Sequence, residues 1–291
     1  MVEKILFVIV VFFSAYSFKR IGIFKKEDAD VFINYVIYFS LPLLVFSRVR
    51  EIPLAAESYG VVGIAWLAVF VSVTVSLLMG TILKLKDKTL RSFLLVSTFG
   101  NTAFLGYPFA YAYFGKEGLS YAVLYDQLGS LLLVVSLGFF IATRRFSFRE
   151  TAGFPPFIAL IGGIITKNIH IPSVVLDFMN LGGESLIPVV LFATGIRFEF
   201  SVFPKSLRLS ALALFLKMIL TPFVVFLITN VLNLDSTGYK VALLESAMPP
   251  MMLAVVLAIK YNLDVDLTLS SVMLGILLSF LTVPILISFT I

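Results

Sequence analysis

The residues of this 291-residue chain that could do chemistry fall into two interruptions of apolar sequence and a few isolated polar groups. The first interruption, Ser97-Thr98-Phe99-Gly100-Asn101-Thr102-Ala103-Phe104-Leu105-Gly106-Tyr107-Pro108, sets glycines, an amide, hydroxyls and a proline inside an apolar segment. The second is Ala247-Met248-Pro249-Pro250-Met251-Met252. In a helix interior glycine costs about 1 kcal/mol and proline about 3 kcal/mol. In lipid, every backbone group that such a break releases needs a partner in the protein or in a water-filled cavity. Each break is therefore expected to face a cavity, offering half-helix N–H groups to an anion and unwound carbonyls to a cation.

Asp126 and Gln127, Glu184, Lys217 and Glu245 lie within or at the ends of apolar runs. A charge at the centre of a bilayer costs about 2.5–3.5 kcal/mol on insertion scales, so those inside a run should face protein or water. Glu245 precedes Pro249 by four residues, roughly 6 Å along a helix, which suits a carboxylate that binds Na⁺ or a proton. Asp126, Gln127 and Lys217 are the other ion-coupling candidates. A Lys217 ion pair with Glu245 or Asp126 that only locks helices together is the alternative. Glu184 reads as an interfacial group, and Arg48, Arg50 and Lys116 as solvated helix ends. Catalysis would need a nucleophile with its base, a carboxylate pair or a metal set. The close acidic pairs, among Glu27, Asp28 and Asp30 and at Asp264 and Asp266, lie at helix ends. The chain has no cysteine, and its single histidine, His170, sits in a loop-like stretch ending in Pro172. No enzyme, cofactor or metal site is expected; Na⁺ or H⁺ enters only as a coupling ion.

The surrounding sequence must hold these groups in a membrane. Hydrophobic residues make up 60% of the chain and charged residues 13%, against about 25% charged in soluble domains, and mean hydropathy is +1.06. Apolar runs fall at 4–18, 31–47, 59–83, 90–114, 118–143, 153–168, 177–196, 206–231, 238–260 and 267–290, each read as a spanning helix of roughly 20 residues. The first run also resembles a signal peptide, but more basic residues follow it than precede it, which favours a retained helix with an outside N-terminus. Counted by alternate loops, fifteen of the 22 Lys and Arg residues fall on one side and six on the other, with Lys217 inside a helix. The richer side is expected to be cytoplasmic and both termini extracytoplasmic, in a cell or inner membrane. This topology accounts for the +5 net charge without a nucleic-acid partner.

The halves 1–145 and 146–291 repeat. Pro42-Leu43-Leu44-Val45-Phe46 answers Pro188-Val189-Val190-Leu191-Phe192, and the breaks follow at similar distances, with Asn101 59 residues after Pro42 and Met248 60 after Pro188. Five helices per half would make the second copy enter from the opposite side, the inverted plan of many secondary transporters. The expected fold is thus an all-α membrane protein of ten transmembrane helices in two inverted five-helix repeats. Its fourth and ninth helices are broken and meet at the midplane. A channel would rely on repeated filter elements or charged rings instead.

The motif Gly100-Asn101-Thr102-Ala103-Phe104-Leu105-Gly106-Tyr107-Pro108 resembles the Gly-Asn-Thr-Gly-Phe-Leu-Gly-x-Pro of the auxin efflux carrier family, which includes plant auxin exporters and bacterial malonate-type carriers. Ala247-Met248-Pro249-Pro250, with the later Ser270-Ser271-Val272, extends the likeness, which covers the whole chain in helix count and repeat order. It implies a panel of helices 1, 2, 6 and 7 and a core of 3–5 and 8–10. It also implies a carboxylate bound at the crossing, with Asn101 among its contacts. Gly100, Thr102, Pro108, Met248, Pro249 and Pro250 are the further substrate-binding candidates. Ala103 departs from the family's glycine, and only about nine residues separate the fifth and sixth helices, unlike the long cytosolic loop of many plant members. A small carrier of mono- or dicarboxylates is therefore expected, with the lipid bilayer as its other partner and a homodimer allowed. The similar architecture of sodium-coupled bile-acid-type symporters keeps a sodium symporter, or a cation/proton antiporter, as the alternative.

Overall fold

The computed structural model describes residues 2–51, 56–144, 155–198 and 206–289. The linker between the proposed halves, with Arg145 and Arg149, lies outside those residues, as does Lys205. Every described element is helical, and the pairing of Gly100 with Pro250 is an isolated antiparallel bridge. In chain order the helices are α1 (Val2–Arg20), α2 (Lys26–Arg50), α3 (Ala56–Ile82), α4 (Asp87–Thr98) and α5 (Thr102–Thr143). Then follow α6 (Pro155–Ile165), α7 (Ser173–Arg197), α8 (Leu207–Val231), α9 (Thr237–Ser246), α10 (Leu253–Lys260) and α11 (Val265–Ser288). Among the described residues α2, α3, α5, α7, α8 and α11 are long and apolar enough to cross a membrane.

Each apolar run of the sequence falls on one of these helices or on a broken pair of them. The run 90–114 is divided between α4 and the first part of α5, and 238–260 between α9 and α10. At Gly115 the backbone of α5 turns with φ +66° and ψ −152°, a region open essentially only to glycine. Residues 102–114 and 116–143 therefore form two rods. π-helical turns interrupt α2 at Val36–Ser40, α5 at Thr102–Gly106 and Tyr125–Leu131, and α8 at Leu216–Leu220.

Two groups of helices pack separately. α1 lies on α7, and α2 lies between α6 and α7. The α1–α7 crossing is close because Gly195 rests on the backbone of Phe12, where a Cβ would collide with the Phe12 carbonyl. Small residues permit such approaches where lipid removes most of the hydrophobic drive for association. The second group gathers α3, α4, α5, α8, α9 and α11, and α5 alone makes broad contact with α1 and α2. Phe12, Tyr107, Phe109 and Phe198 are fully buried among these helices. Trp66, Phe70, Leu78, Phe223, Val231 and Leu281 are exposed, an outer apolar surface that suits lipid better than water.

Short helices need help at their ends. Asp264 caps α11, its Oδ1 accepting from the Leu267 N–H at 3.1 Å. α9 has ten residues, too few to be stable alone, and its N-terminus is held by Glu57 of α3. Glu57 Oε1 accepts from Ser236 Oγ at 2.5 Å and from the Gly238 N–H at 2.9 Å.

Candidate functional site

The chain leaves the helical path at Phe99, Gly100 and Asn101, and again between Ala247 and Met252. These two breaks satisfy each other. The Asn101 N–H donates to the Pro249 carbonyl at 2.7 Å, and the Met251 N–H to the Phe99 carbonyl at 3.0 Å. Four groups that an unbroken helix would have paired internally are thus paired across 150 residues of sequence. Gly100 lies under Lys217 and Met248: a Cβ there would come within 3.2 Å of Lys217 Cε and 3.4 Å of Met248 Cβ. From this junction α5 and α10 start anew. Asn101 caps α5, its Oδ1 accepting from the Phe104 N–H at 3.3 Å.

A cavity of about 550 Å³ opens beside the junction. Gly100, Asn101 and Thr102 are on its wall, as are Asp126, Gln127 and Ser130 of α5. Ile33, Asn34 and Ile37 of α2 close one side, and Met251, Met252 and Leu253 another. A partly exposed ion pair between Asp30, at the start of α2, and Arg197, the last residue of α7, is also on its wall.

Asp126 is the best-satisfied carboxylate at this site. Its Oδ1 accepts from Thr102 Oγ1, and its Oδ2 accepts from Tyr107 OH at 2.8 Å and from Gln127 Nε2 at 2.7 Å. Tyr107 and Gln127 are buried with it. The cluster fixes the first turns of the rod 102–114 to the rod 116–143, which holds the capped N-terminus of α5 in place.

Glu245 is the opposite case: it is fully buried, and neither carboxyl oxygen has a hydrogen-bond partner among the described residues. It packs over Gly106, where any Cβ would overlap its carboxylate, and Gly106 is on the first turn of α5. The ion pair of Lys217 with Glu245 or Asp126 that the sequence allowed is not formed. Lys217 Nζ donates instead to the Ser246 carbonyl at 2.5 Å. Ser246 ends α9, so its carbonyl has no partner within the helix, and a cation is favoured at that negative dipole end.

The other candidates fall outside the cavity wall. Met248 is buried above Gly100, and Pro249 and Pro250 pack against Gly275 of α11. Pro108 is buried in the first part of α5. Met251 and Met252, at the end of the second break, line the cavity as that break was expected to. The apolar α2 residues line it without any signal in the sequence, since apolar residues in an apolar run are not distinctive; Asn34, a lone amide in the run 31–47, is the exception. Arg48 was expected to be solvated, but it is only 3% exposed and donates to Glu184 at 3.5 Å. Lys116 pairs with the same Glu184 oxygen at 2.9 Å, and Arg50 donates to the carbonyls of Thr166 and Ile169 at the end of α6. His170 is exposed between α6 and α7.

The family model described as membrane transport protein matches the chain over residues 1–153 and 144–287. The chain belongs to the auxin efflux carrier family. Similar proteins occur in archaea. One, named as an uncharacterized transporter, is from Methanocaldococcus jannaschii and is 31% identical over 300 residues, covering 97% of this chain and 96% of the relative. Another uncharacterized transporter, from Methanothermobacter thermautotrophicus, is 28% identical over 298 residues, again covering 97% and 96%. The chain is thus a multi-pass membrane transport protein.

Proposed function

We propose that the protein is a secondary carrier of small organic acids, mono- or dicarboxylates, working by alternating access. In this reading the helices make ten membrane passes as two inverted repeats, 1–145 and 146–291, with both termini extracytoplasmic in the cell membrane. α4 with residues 102–114, and α9 with α10, are the broken fourth and ninth passes. The packing of α1, α2, α6 and α7 apart from most of the other helices supports a panel and a moving core. The observation that carries the reading is the mutual pairing of the two breaks beside a cavity of about 550 Å³. Asn101 supplies a donor there, and the restarted helices α5 and α10 bring their positive ends to it.

The cavity would face the cytoplasm in this state, because Asp30 and Arg197 stand at the ends of α2 and α7 to which the basic-residue count assigns that side. At the other end of the same helices Glu184 of α7 joins Arg48 of α2 to Lys116 of α5. That pairing, between panel and core, is read as the closed outer gate. Coupling to H⁺ or Na⁺ would involve the groups around the junction, Asp126, Gln127, Lys217 and Glu245. A sodium symporter or cation antiporter is the second reading, favoured by the two oxygens of Glu245 that lack a partner among the described residues.

Uptake of labelled mono- and dicarboxylates into proteoliposomes, with imposed Na⁺ or pH gradients, tests the proposal. Saturable uptake that Asn101→Ala weakens at least tenfold is the expected result. Uptake that never saturates would indicate a channel, and gradient-driven Na⁺ flux without an organic substrate would favour the antiporter.

A further inference from the structure

Among the described residues the cavity wall carries three charged groups, Asp30 of α2, Asp126 of α5 and Arg197 of α7. Asp126 is engaged by Thr102, Tyr107 and Gln127. Lys217 packs behind Gly100 with its Nζ on the Ser246 carbonyl and is not part of the wall. Arg197 is therefore the cation that an anion in the cavity can meet directly. Its side chain is 25% exposed and that of its partner Asp30 is 61% exposed, so both are open to an incoming molecule. Water screens pairs as exposed as this one, and they contribute little to stability.

Asp30 holds the guanidinium through Nη2 and one carboxylate oxygen. A guanidinium can take both oxygens of a carboxylate in a fork, which is stronger and more directional than one contact. Asp30, anchored to α2, uses half of that capacity, and a free carboxylate can use all of it. Asn34 adds a second polar group. It follows Asp30 by four residues, which puts it on the same helix face and roughly 6 Å further along. It is exposed, and it is on the same wall between Ile33 and Ile37. Turned to lipid, an amide would go without a partner; turned to the cavity, its NH₂ group is a donor for an anion.

We infer that Arg197 and Asn34 form a carboxylate-binding station separate from the junction, occupied by Asp30 as a tethered competitor when no substrate is present. The inference rests on the organic-acid reading and adds a second site to it. An acid anion displaces Asp30 from Arg197, accepts a hydrogen bond from Asn34 and passes from there to Asn101. Arg197, Asp30 and Asn34 belong to α7 and α2, whereas Asn101 belongs to the other group of helices. The substrate is thus handed from one group to the other, and the strength of the Asp30–Arg197 pair sets how readily the station fills.

The test places a cysteine at Ile33, on the wall beside Asp30, in a chain that has no other. The purified full-length protein is labelled with the uncharged reagent N-ethylmaleimide while benzoate, succinate or the neutral control benzamide is titrated in. The expected result is saturable protection by a carboxylate and none by benzamide. Asp30→Asn should lower the half-protecting concentration at least fivefold, because the competitor loses its charge. Arg197→Gln should raise it at least tenfold, and Arg197→Lys, which keeps the charge but not the fork, should fall between. Asn101→Ala should leave it unchanged, since the station is separate from the junction. A half-protecting concentration that Asp30→Asn and Arg197→Gln both leave within twofold, or protection that Asn101→Ala abolishes, would overturn the inference; saturable uptake of organic acids into proteoliposomes would still uphold the carrier reading. The expected pattern in a protein that takes up no organic acid would overturn the carrier reading and, with it, the hand-over. Asp30→Asn decides the matter where Arg197→Gln does not fold, because misfolding does not tighten binding.

Discussion

At the scale of single residues, the contact between Gly106 and the buried Glu245 couples two positions that the sequence separates by 139 residues. A methyl group at 106 would occupy the position of the Glu245 carboxylate, and overpacking of this kind typically costs 1–3 kcal/mol. Gly106→Ala should lower the stability of the detergent-solubilised protein by about 2 kcal/mol. Shortening the partner with Glu245→Ala in the same chain should recover most of that loss, as coupled neighbours do. Thermal unfolding of the two single variants and the double variant measures this, and additive losses would show that the two side chains do not meet. Asn101 was legible in the sequence because an amide beside glycine in an apolar run has few structural reasons to be there. A Lys217 ion pair with Glu245 or Asp126 was the alternative the sequence left open to ion coupling. It fails because α9 stops at Ser246, one residue after Glu245, and leaves a carbonyl that Lys217 reaches instead. Periodicity in sequence does not show which carbonyl a break will free.

Among the elements, the positions of the ten runs were legible to within a few residues, since each long apolar stretch has only the helix as a solution in lipid. The ties between elements were not legible, because they join charges far apart in sequence. Glu57 caps α9 from α3, and nothing in the sequence around residue 57 points to partners near residue 237. Loss of a cap costs about 1 kcal/mol. Glu57→Ala should therefore lower thermal stability by that amount, and Glu57→Gln, which keeps an acceptor oxygen, by less; equal losses would assign the effect to charge rather than capping. Lys116–Glu184 is partly exposed, and such pairs contribute about 0.2–1 kcal/mol. Lys116→Glu should accordingly shift the balance between gate states by only a few-fold. A cysteine placed at Asn34 reports the change as slower labelling from the Asp30–Arg197 side. Restoration of the rate by Lys116→Glu with Glu184→Lys would identify the pair itself as the cause. The charge reversal also alters the surroundings of Arg48, so the double variant is the deciding one.

At the scale of the whole molecule, the two breaks complete each other across about 150 residues of sequence, so in the two-repeat reading each half depends on the other. Residues 1–145 and 146–291 expressed as separate polypeptides should each be degraded or aggregate, and expressed together they should yield a complex that co-purifies and binds the same ligands. Stable accumulation of either half alone would show that the junction is dispensable. The same feature sets a timetable for synthesis. When Asn101 leaves the ribosome, the Pro249 carbonyl that will accept its N–H does not exist, and the carbonyl of Phe99 waits for the N–H of Met251. At 5–20 residues per second the missing segment takes roughly 10–30 s to arrive. Throughout that interval the Asn101 N–H and the Phe99 carbonyl lack the partners they have in the folded chain. The nascent chain is therefore expected to be a client of insertion chaperones and proteases for a fixed period set by translation speed. Slowing translation between residues 150 and 250 should lower the yield of protein more than the same delay placed after residue 260.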